Sequence, residues 1–433
     1  MKRVQQIALL VFLVSFIVRV IIINFTPGSN SFADISCLVN GGQMISNGIN
    51  PYDFEDNVEL REKLRLDAIG DNFWLCSYQH IWNYHSANNL PFNLLFNGFL
   101  DFFFDGNVYY YRYAYAFLDS CIGYITTLFF FQLMSLPINL LSIVFVLLVS
   151  SLSPALLLNG TFIPEDKGFQ VLLILLSLWF SIHRRFFWAC LFLSFSIGFK
   201  AIGALVAPIC LAYYVLGKDH FLQTGEWQTV VKELFTPADR LRKTILYTLA
   251  TVGLFLVIYL PYASDFARII NERILYDIDN APNHSSLWIV FYRTFPENWQ
   301  TIRTTILCLI TVILLAAFLK NLIPADIFLL SILLLFLCVA LLTGSLDRNN
   351  MAMQPLIVYM AMRWRKEGMI LGWYYGIAGI LMLFPVAYKH FIDDTIEYAF
   401  FSSLFVLGYC IVFYYIVIRK AFQLWILKKG VVA

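Results

Sequence analysis

Apolar stretches of about twenty residues recur along the whole chain, separated by polar or charged segments. A run of that length crosses the hydrocarbon core of a bilayer as an α-helix. The pattern therefore predicts an all-α, polytopic membrane protein with about twelve spans, and counts from ten to thirteen fit it. The predicted spans are 4–24, 110–134, 139–158, 168–182, 186–199, 202–217, 244–261, 302–319, 325–343, 350–363, 369–387 and 396–418. Three of them, 168–182, 186–199 and 350–363, are short for a full crossing and are compatible with tilted, broken or re-entrant helices.

Composition supports this class of protein. The chain has 433 residues, of which 60% are hydrophobic and 13% are charged, whereas a soluble domain carries about a quarter charged residues. The net charge of +2 gives no indication of nucleic-acid binding. The first apolar run is too long for a signal peptide and no small-residue cleavage site follows it, so we predict a retained first helix.

Lysine and arginine are concentrated in alternate loops, and this bias predicts the orientation of the chain. The basic segments are Lys2-Arg3, Arg184-Arg185, Lys218 to Lys243, Lys320, Arg363 to Lys366, Arg419-Lys420 and Lys428-Lys429. Most acids fall in the other loops. Both termini are therefore predicted to be cytoplasmic. The basic loop 218–243 is most simply a topology and anionic-lipid signal.

Two long loops are predicted outside the membrane, at 25–109 and 262–301, within a single transmembrane domain of residues 1–433. The first contains a charged amphipathic piece at 55–71 and a piece rich in Phe and Leu at 88–106. Helices with such apolar faces are expected to lie in the membrane interface.

The familiar cofactor signatures are missing from the sequence. It contains no phosphate-binding P-loop, no dinucleotide fingerprint and no His/Cys spacing typical of a metal site. We therefore predict no cofactor and no metal; a divalent metal ion is compatible with the sequence but is not indicated by it. Cys37 and Cys76 share the first outer loop, and the sequence favours two free thiols over a disulfide.

The remaining candidate chemistry consists of carboxylates and cations placed at the outer ends of predicted spans. Asp34 follows the first span, Glu165 and Asp166 occupy a short turn, Lys200 tips a hairpin, and Arg348 lies in a late turn. A carboxylate can remove a proton from a hydroxyl, and Lys and Arg can hold a phosphate. Together they suit the transfer of a group from a lipid phosphate to an acceptor hydroxyl.

Each of these candidates also has a purely structural interpretation. Asp34 is a plausible helix N-cap. Glu165 and Asp166 are predicted to be solvated turn residues rather than catalytic ones. For Lys200 and for Arg348, the sequence favours contact with a phosphate and snorkelling to the membrane surface equally.

Two charges fall inside predicted spans. Arg19 lies late in the first span and is predicted to snorkel outward. Asp119 is costly at its position, so we predict a structural partner for it, such as Arg19 or Arg112.

The stretch FADISCLVNGGQMISNGINPYDF resembles the first-loop motif of membrane glycosyltransferases of the GT-C superfamily. That motif is an acid after the first helix, a short helix, and Gly-x-Asn-Pro-Tyr-Asp. Within the superfamily, it resembles the bacterial polyprenyl-phosphate-mannose-dependent mannosyltransferases. Weaker resemblances lie at 153–178, 194–211 and 346–361. The family's Gly-Gln-Phe-Asp is replaced here by residues 160–166, and its Tyr-Pro-Pro by YHSANNLPF.

The resemblance implies a role for each residue of the first motif. Asp34 would be the general base. Gly48 and Pro51 would form the turn, and Tyr52 and Asp53 would anchor the loop.

The other motifs bear on the two substrates. Lys200 and Arg348 would bind the donor phosphate, while Glu165 and Asp166 would be an acceptor site or a second acidic site.

The predicted function is an inverting transfer of a hexose from polyprenyl phosphate to a glycan or glycolipid, and mannose is the favoured hexose. Nucleotide sugars are absent outside the membrane, so the donor must be lipid-linked. The predicted location is a bacterial inner membrane, although Asn24, Asn159 and Asn283 lie in Asn-x-Ser/Thr patterns that would suit an endoplasmic-reticulum enzyme. The alternatives are a secondary transporter or flippase-like protein, a polysaccharide ligase or polymerase, and a non-catalytic assembly factor.

Overall fold

A computed structural model describes most of the chain, and the described residues are mainly helical. The described residues are 2–25, 33–48, 50–52, 90–157, 160–161, 166–199, 203–224, 226–267, 288, 292, 294–335, 353–391 and 397–428. None of these residues lies in a β-strand, so the predicted all-α class is confirmed for the part of the chain that is described.

Seventeen α-helices are described, together with one π-helical and one 3-10 segment. They are α1 (Lys2–Phe25), α2 (Ala33–Ser46), α3 (Pro91–Phe104), α4 (Val108–Thr127) with the π-helical Leu128–Leu133, α5 (Leu140–Val149), α6 (Pro154–Leu157), α7 (Lys167–Ile182), α8 (Phe186–Phe199), α9 (Gly203–Leu216), α10 (Lys218–Thr224), α11 (Trp227–Phe235), α12 (Ala238–Tyr259) with the 3-10 Leu260–Asp265, α13 (Trp299–Leu319), α14 (Ala325–Leu335), α15 (Met353–Arg363), α16 (Arg365–Phe391) and α17 (Glu397–Lys428).

Each of the twelve predicted spans coincides with a described helix over all or part of its length. Among the described residues, five helical stretches are long and apolar enough to cross a membrane. They are Lys2–Phe25, Tyr109–Leu133, Ala238–Asp265, Trp299–Leu319 and Leu407–Leu427. A sixth would be α9 with α10, although the two are bent by 114°. The protein is thus helical and suited to a bilayer, and the count of twelve crossings remains a prediction.

Helices α1 and α4 run antiparallel and bring the two ends of the first long loop together. Ser15 Oγ donates to Ser120 Oγ at 3.2 Å, and Tyr113 donates to the Asn24 side chain at 3.3 Å. Residue numbers therefore increase along α1 while those of the facing residues of α4 decrease, as in any antiparallel pair. The end of α1 and the start of α4 share one end of the bundle, which we call the α2 end because α2 packs there.

Helices α7, α8 and α12 extend the bundle: α8 runs antiparallel to α7, and α12 runs parallel to α8, with Cys190 and Ser194 of α8 facing Tyr247 and Thr251 of α12. Gln170 of α7 donates to Ser196 of α8 at 3.1 Å, and Phe180 stacks on Phe192 at 5.4 Å between ring centroids. Ser194 then donates to the Thr251 carbonyl of α12 at 2.8 Å. As a result α7 begins, and α8 and α12 end, at the α2 end.

The outward surface of several helices is apolar. On α13, Leu309, Val312 and Ile313 are all exposed, and α1 and α12 have similar faces. Apolar surface of this extent is a liability in water but is what lipid tails contact. This surface supports an embedded protein more directly than composition does.

Candidate functional site

The segment that carries the predicted base is helix α2. Asp34 is its second residue, and its backbone is helical while its side chain lies outside the description. The helix ends in a turn in which Gly48 N–H donates to the Ile45 carbonyl at 3.0 Å. Gly48 has a φ of 72°, a conformation that glycine adopts without steric penalty. The predicted turn therefore begins directly after α2.

The Asn-Pro-Tyr stretch is fastened to the segment that follows α12. Asn50 Nδ2 donates to Asp265 at 2.9 Å, while Asn50 Oδ1 accepts from the Tyr52 backbone N–H at 3.1 Å. Tyr52 is 2% exposed and meets the Tyr262 ring edge-on at 5.2 Å. Sequence reasoning assigned the anchoring to Tyr52 and Asp53 and missed Asn50, whose amide bridges two segments.

Helix α3 supports α2 along its length through two glycines. A Cβ atom on Gly42 would lie 2.7 Å from the backbone carbonyl of Asn97, and one on Gly98 would lie 2.6 Å from the Ile45 side chain. Neither distance is tolerated by real side chains, so both positions require glycine for the observed spacing. Small residues allow such close helix packing in membrane proteins.

Three polar residues of α3, spaced four apart, form a buried row that we call the polar ladder: Asn93, Asn97 and Asp101. Asn97 Nδ2 donates to Asn93 Oδ1 at 2.9 Å. Tyr115 donates to Asn97 Oδ1 at 2.8 Å, and Tyr111 to Asp101 at 3.3 Å. Four-residue spacing puts all three on one helix face. The sequence analysis missed this row, although that spacing is the signal that could have found it.

Both ends of the polar ladder reach other elements. Asn93 donates to the Asp166 carboxylate at 2.5 Å, and Ser46 at the end of α2 donates to Asp101 at 2.5 Å. The ladder therefore joins α2 and the turn before α7 through α3. Buried polar groups that are fully paired make an assembly rigid.

Asp166 corrects one prediction. It was expected to be a solvated turn residue, but it is 5% exposed. The physical reason is that Asn93 supplies a hydrogen bond to the carboxylate inside the protein, so water is not needed there.

A buried ion pair lies next to this row. Arg19 Nε is 3.7 Å from Asp119 Oδ2, and neither side chain is exposed. Two glycines make room for the carboxylate, because a Cβ on Gly160 would lie 2.1 Å and one on Gly168 1.8 Å from its oxygens.

The pair settles two expectations about charges within the spans. The predicted partner of Asp119 is confirmed as Arg19, but the prediction that Arg19 snorkels outward is wrong, because its guanidinium turns inward to meet the carboxylate. Arg112, the other suggested partner, donates instead to the Thr161 carbonyl at 3.1 Å.

The end of α8 also reaches this region. Phe92 of α3 stacks on Phe195 at 4.3 Å and lies 6.2 Å from Phe199 between ring centroids. Phe199 is the last described residue before Lys200. The helix that leads to the predicted phosphate ligand is thus packed against α3.

Several predicted site residues lie outside the described residues. They are Asp53, Glu165, Lys200 and Arg348. The described part of the predicted site consists of the α2 backbone, Gly48, Pro51, Tyr52 and Asp166, all at the α2 end.

Comparison with known proteins adds no relative. No protein-family model matches the chain, and no curated protein is similar enough to count as one. Within the described residues, no group of three or more His, Cys, Asp or Glu side chains could hold a metal ion. A functional assignment therefore depends on the first-loop motif and on how the fold supports it.

Proposed function

We propose that the chain is an inverting glycosyltransferase of the GT-C superfamily. It transfers a hexose, of which mannose is the favoured one, from polyprenyl phosphate to a glycan or glycolipid. The observation that supports this most is the fixing of the Asp34 helix from two sides. Gly42 seats α2 against the backbone of α3, and Asn50 ties the following turn to Asp265. A general base is effective only when its carboxylate is held within hydrogen-bond reach of the acceptor.

The proposed reaction follows from the residue types. The Asp34 carboxylate takes the proton of an acceptor hydroxyl, and the hydroxyl oxygen attacks the anomeric carbon as the bond from that carbon to the phosphate oxygen breaks. Attack from the opposite side inverts the carbon. Polyprenyl phosphate leaves with the added negative charge, which Lys200 and Arg348 are proposed to stabilise.

The polar ladder gives the two acids of the turn before α7 different tasks in this proposal. Asp166 is bonded to Asn93 and is assigned to positioning α3. Glu165 remains the candidate contact for the acceptor. The proposed acceptor is a glycan or glycolipid, reached from the extracytoplasmic face of a bacterial inner membrane.

A secondary transporter or flippase-like protein is the second candidate, and the Arg19–Asp119 pair is the observation that favours it. Buried ionisable groups within spans often mark ion pathways. Uptake of a solute by proteoliposomes, without any glycosidic product, would support this candidate over the first.

The test of the proposed function is the Asp34→Asn variant, assayed with lipid-linked mannose in membranes. An amide keeps the shape of the side chain but is not basic, so transfer should fall by about 10²–10⁴. Asp105→Asn is the matched control, because Asp105 is exposed and has a φ of 47° that asparagine tolerates. Equal transfer by the two variants would contradict the assignment of Asp34.

A further inference from the structure

An open cavity of about 450 Å³ lies at the end of the bundle opposite α2. Three segments line it: Leu133 at the end of the π-helical segment, residues 182–184 at and just after the end of α7, and residues 216–220 where α9 ends and α10 begins. None of these residues has a role in the proposed transfer reaction.

Two cations in the cavity wall are held in place by hydrogen bonds to backbone carbonyls. Arg184 Nη2 donates to the Leu216 carbonyl at 2.9 Å, and Lys218 Nζ donates to the Leu133 carbonyl at 3.0 Å. Gly217 has a φ of 86°, and a Cβ there would lie 2.4 Å from Arg184 Nη2. Glycine at this position therefore lets the guanidinium rest on the end of α9.

Both cations keep donors for a ligand. A guanidinium has five N–H groups and an ammonium has three, and each described contact uses one of them. A phosphate group accepts several such charge-assisted hydrogen bonds at once.

The remaining charges around the cavity leave it cationic. Asp219 is the one acid among the lining residues, against Arg184 and Lys218. His220 bonds to Glu233, which also accepts from Arg240 at 2.7 Å. The hydrogen bond with His220 keeps the pKa of Glu233 below its ordinary value, and Arg240 already pairs this carboxylate with a cation.

Exposed aromatic residues indicate the depth of the cavity in the membrane. Phe186, Phe187 and Trp188 begin α8 directly after Arg184 and Arg185, and all three are exposed. Trp collects where lipid headgroups meet the hydrocarbon, and Trp and Phe are typical of helix faces that dip into this interface. This position is the one expected for a cavity at headgroup depth.

We propose that this cavity binds the phosphate of an anionic phospholipid headgroup through Arg184 and Lys218. The phosphate chemistry alone would also suit a soluble phosphate. The neighbouring aromatic residues favour a lipid, because a soluble ligand gains nothing from their position. Basic pockets between membrane helices on the cytoplasmic side bind anionic headgroups in this way. The proposal does not depend on the glycosyltransferase assignment.

The test is a titration of the full-length, detergent-solubilised protein with phosphatidylglycerol, followed by native mass spectrometry. We expect Arg184→Gln and Lys218→Gln each to weaken binding by at least about tenfold, since each removes a charge-assisted hydrogen bond. Glutamine retains an amide donor for the carbonyl partner. Asp219→Asn should have the opposite effect and strengthen binding by about two- to fivefold.

Two comparisons make the result decisive. The control Lys232→Gln with Arg242→Gln removes two exposed cations from the same basic segment and should leave binding unchanged. An equal loss in this control, or unchanged binding in both cavity variants, would overturn the proposed site. Displacement of phosphatidylglycerol by an equal concentration of inorganic phosphate would overturn its assignment to a lipid.

Discussion

Arg19 and Asp119 place opposite charges inside the bundle at a separation of 3.7 Å, with neither side chain exposed. None of the described side chains gives the Arg19 nitrogens or the Asp119 oxygens a hydrogen bond. Desolvation of two ions is expensive, and their attraction offsets it only while both remain. The pair is therefore a sensitive point for stability and for distinguishing a structural role from transport.

We predict that Arg19→Met lowers the free energy of unfolding by about 3–5 kcal/mol, because it leaves Asp119 as an uncompensated buried charge. Adding Asp119→Asn should recover most of that loss. Thermal unfolding of the solubilised variants measures both effects, with the exposed Arg185→Met as the control. If the double variant loses as much free energy of unfolding as the Arg19→Met and Asp119→Asn single variants lose together, this account of the pair is contradicted.

The predicted phosphate ligands provide a second prediction for single residues. Lys200→Met and Arg348→Met should each slow transfer by at least about tenfold, since a charge-assisted hydrogen bond contributes about 1.5–3 kcal/mol and about 1.4 kcal/mol is a decade in rate. Lys200→Arg retains the charge and should be milder.

The turnover of lipid-linked donor measures these variants. Lys320→Met removes a cation on the predicted cytoplasmic side and should behave as wild type. Normal turnover by both Met variants would contradict this assignment. The next candidates would then be the arginines of the second predicted outer loop, Arg268, Arg273 and Arg293.

Single residues were predictable where a chemical need was visible in the sequence. A lone acid within a span must have a partner, so the sequence predicted one for Asp119, either Arg19 or Arg112, and the structure identifies it as Arg19. The burial of Asp166 was not predictable, because its partner Asn93 lies 73 positions away and no local pattern joins them. The same holds for Asn50 and Asp265, which are joined by folding rather than by sequence proximity.

Helix α3 shows how elements depart from the rule for soluble proteins. Phe99, Phe102 and Phe103 are 60%, 82% and 62% exposed, while Asn93 and Asn97 are fully buried. In water the apolar face of a helix faces the core. The reversed arrangement fits an element whose outer face contacts lipid and whose inner face satisfies its polar groups within the protein.

The close contact between helices α2 and α3 leads to a prediction about their spacing and its effect on transfer. Gly42→Ala should separate the two helices, because the added Cβ would lie 2.7 Å from the backbone of Asn97, which cannot move as a flexible side chain would. We expect transfer to fall by about tenfold or more, as misplacement of a reacting group by about 1 Å costs up to about 10² in rate.

The matched control is Gly253→Ala in α12, where an added Cβ meets nothing within 4 Å. It should be neutral or slightly stabilising, since alanine favours helix over glycine by about 1 kcal/mol. Transfer rates and melting temperatures of both variants check the prediction. Equal, wild-type behaviour of Gly42→Ala would show that the close approach of α2 to α3 is unnecessary.

Helices were predictable as elements, and their pairing was not. Apolar length alone predicted twelve spans, and each coincides with a described helix over all or part of its length. Length is informative because a segment in the bilayer must make its backbone hydrogen bonds within itself. The predicted span 139–158 is interrupted between α5 and α6, where Ser150 to Ser153 form a turn. Periodicity carries little information in such uniformly apolar stretches.

The orientation of the whole molecule in the membrane remains a prediction from charge. We expect residues 25–109 to be extracytoplasmic and the 218–243 loop to be cytoplasmic. In a chain whose 8 cysteines are replaced by serine, Asn57→Cys should react with an impermeant thiol reagent applied to intact cells. Lys232→Cys should react only after the membrane is opened. The reverse pattern would contradict the orientation and with it the proposed site.

The central claim is that this chain transfers a hexose from polyprenyl phosphate to a glycan of the cell envelope. Mass spectrometry of lipid-linked and envelope glycans from a deletion strain tests it most directly. We predict glycans shortened by hexose and accumulated polyprenyl-phosphate-hexose, both restored by the wild-type gene and neither by Asp34→Asn. Glycans and donor levels identical to those of the parent strain would contradict the claim.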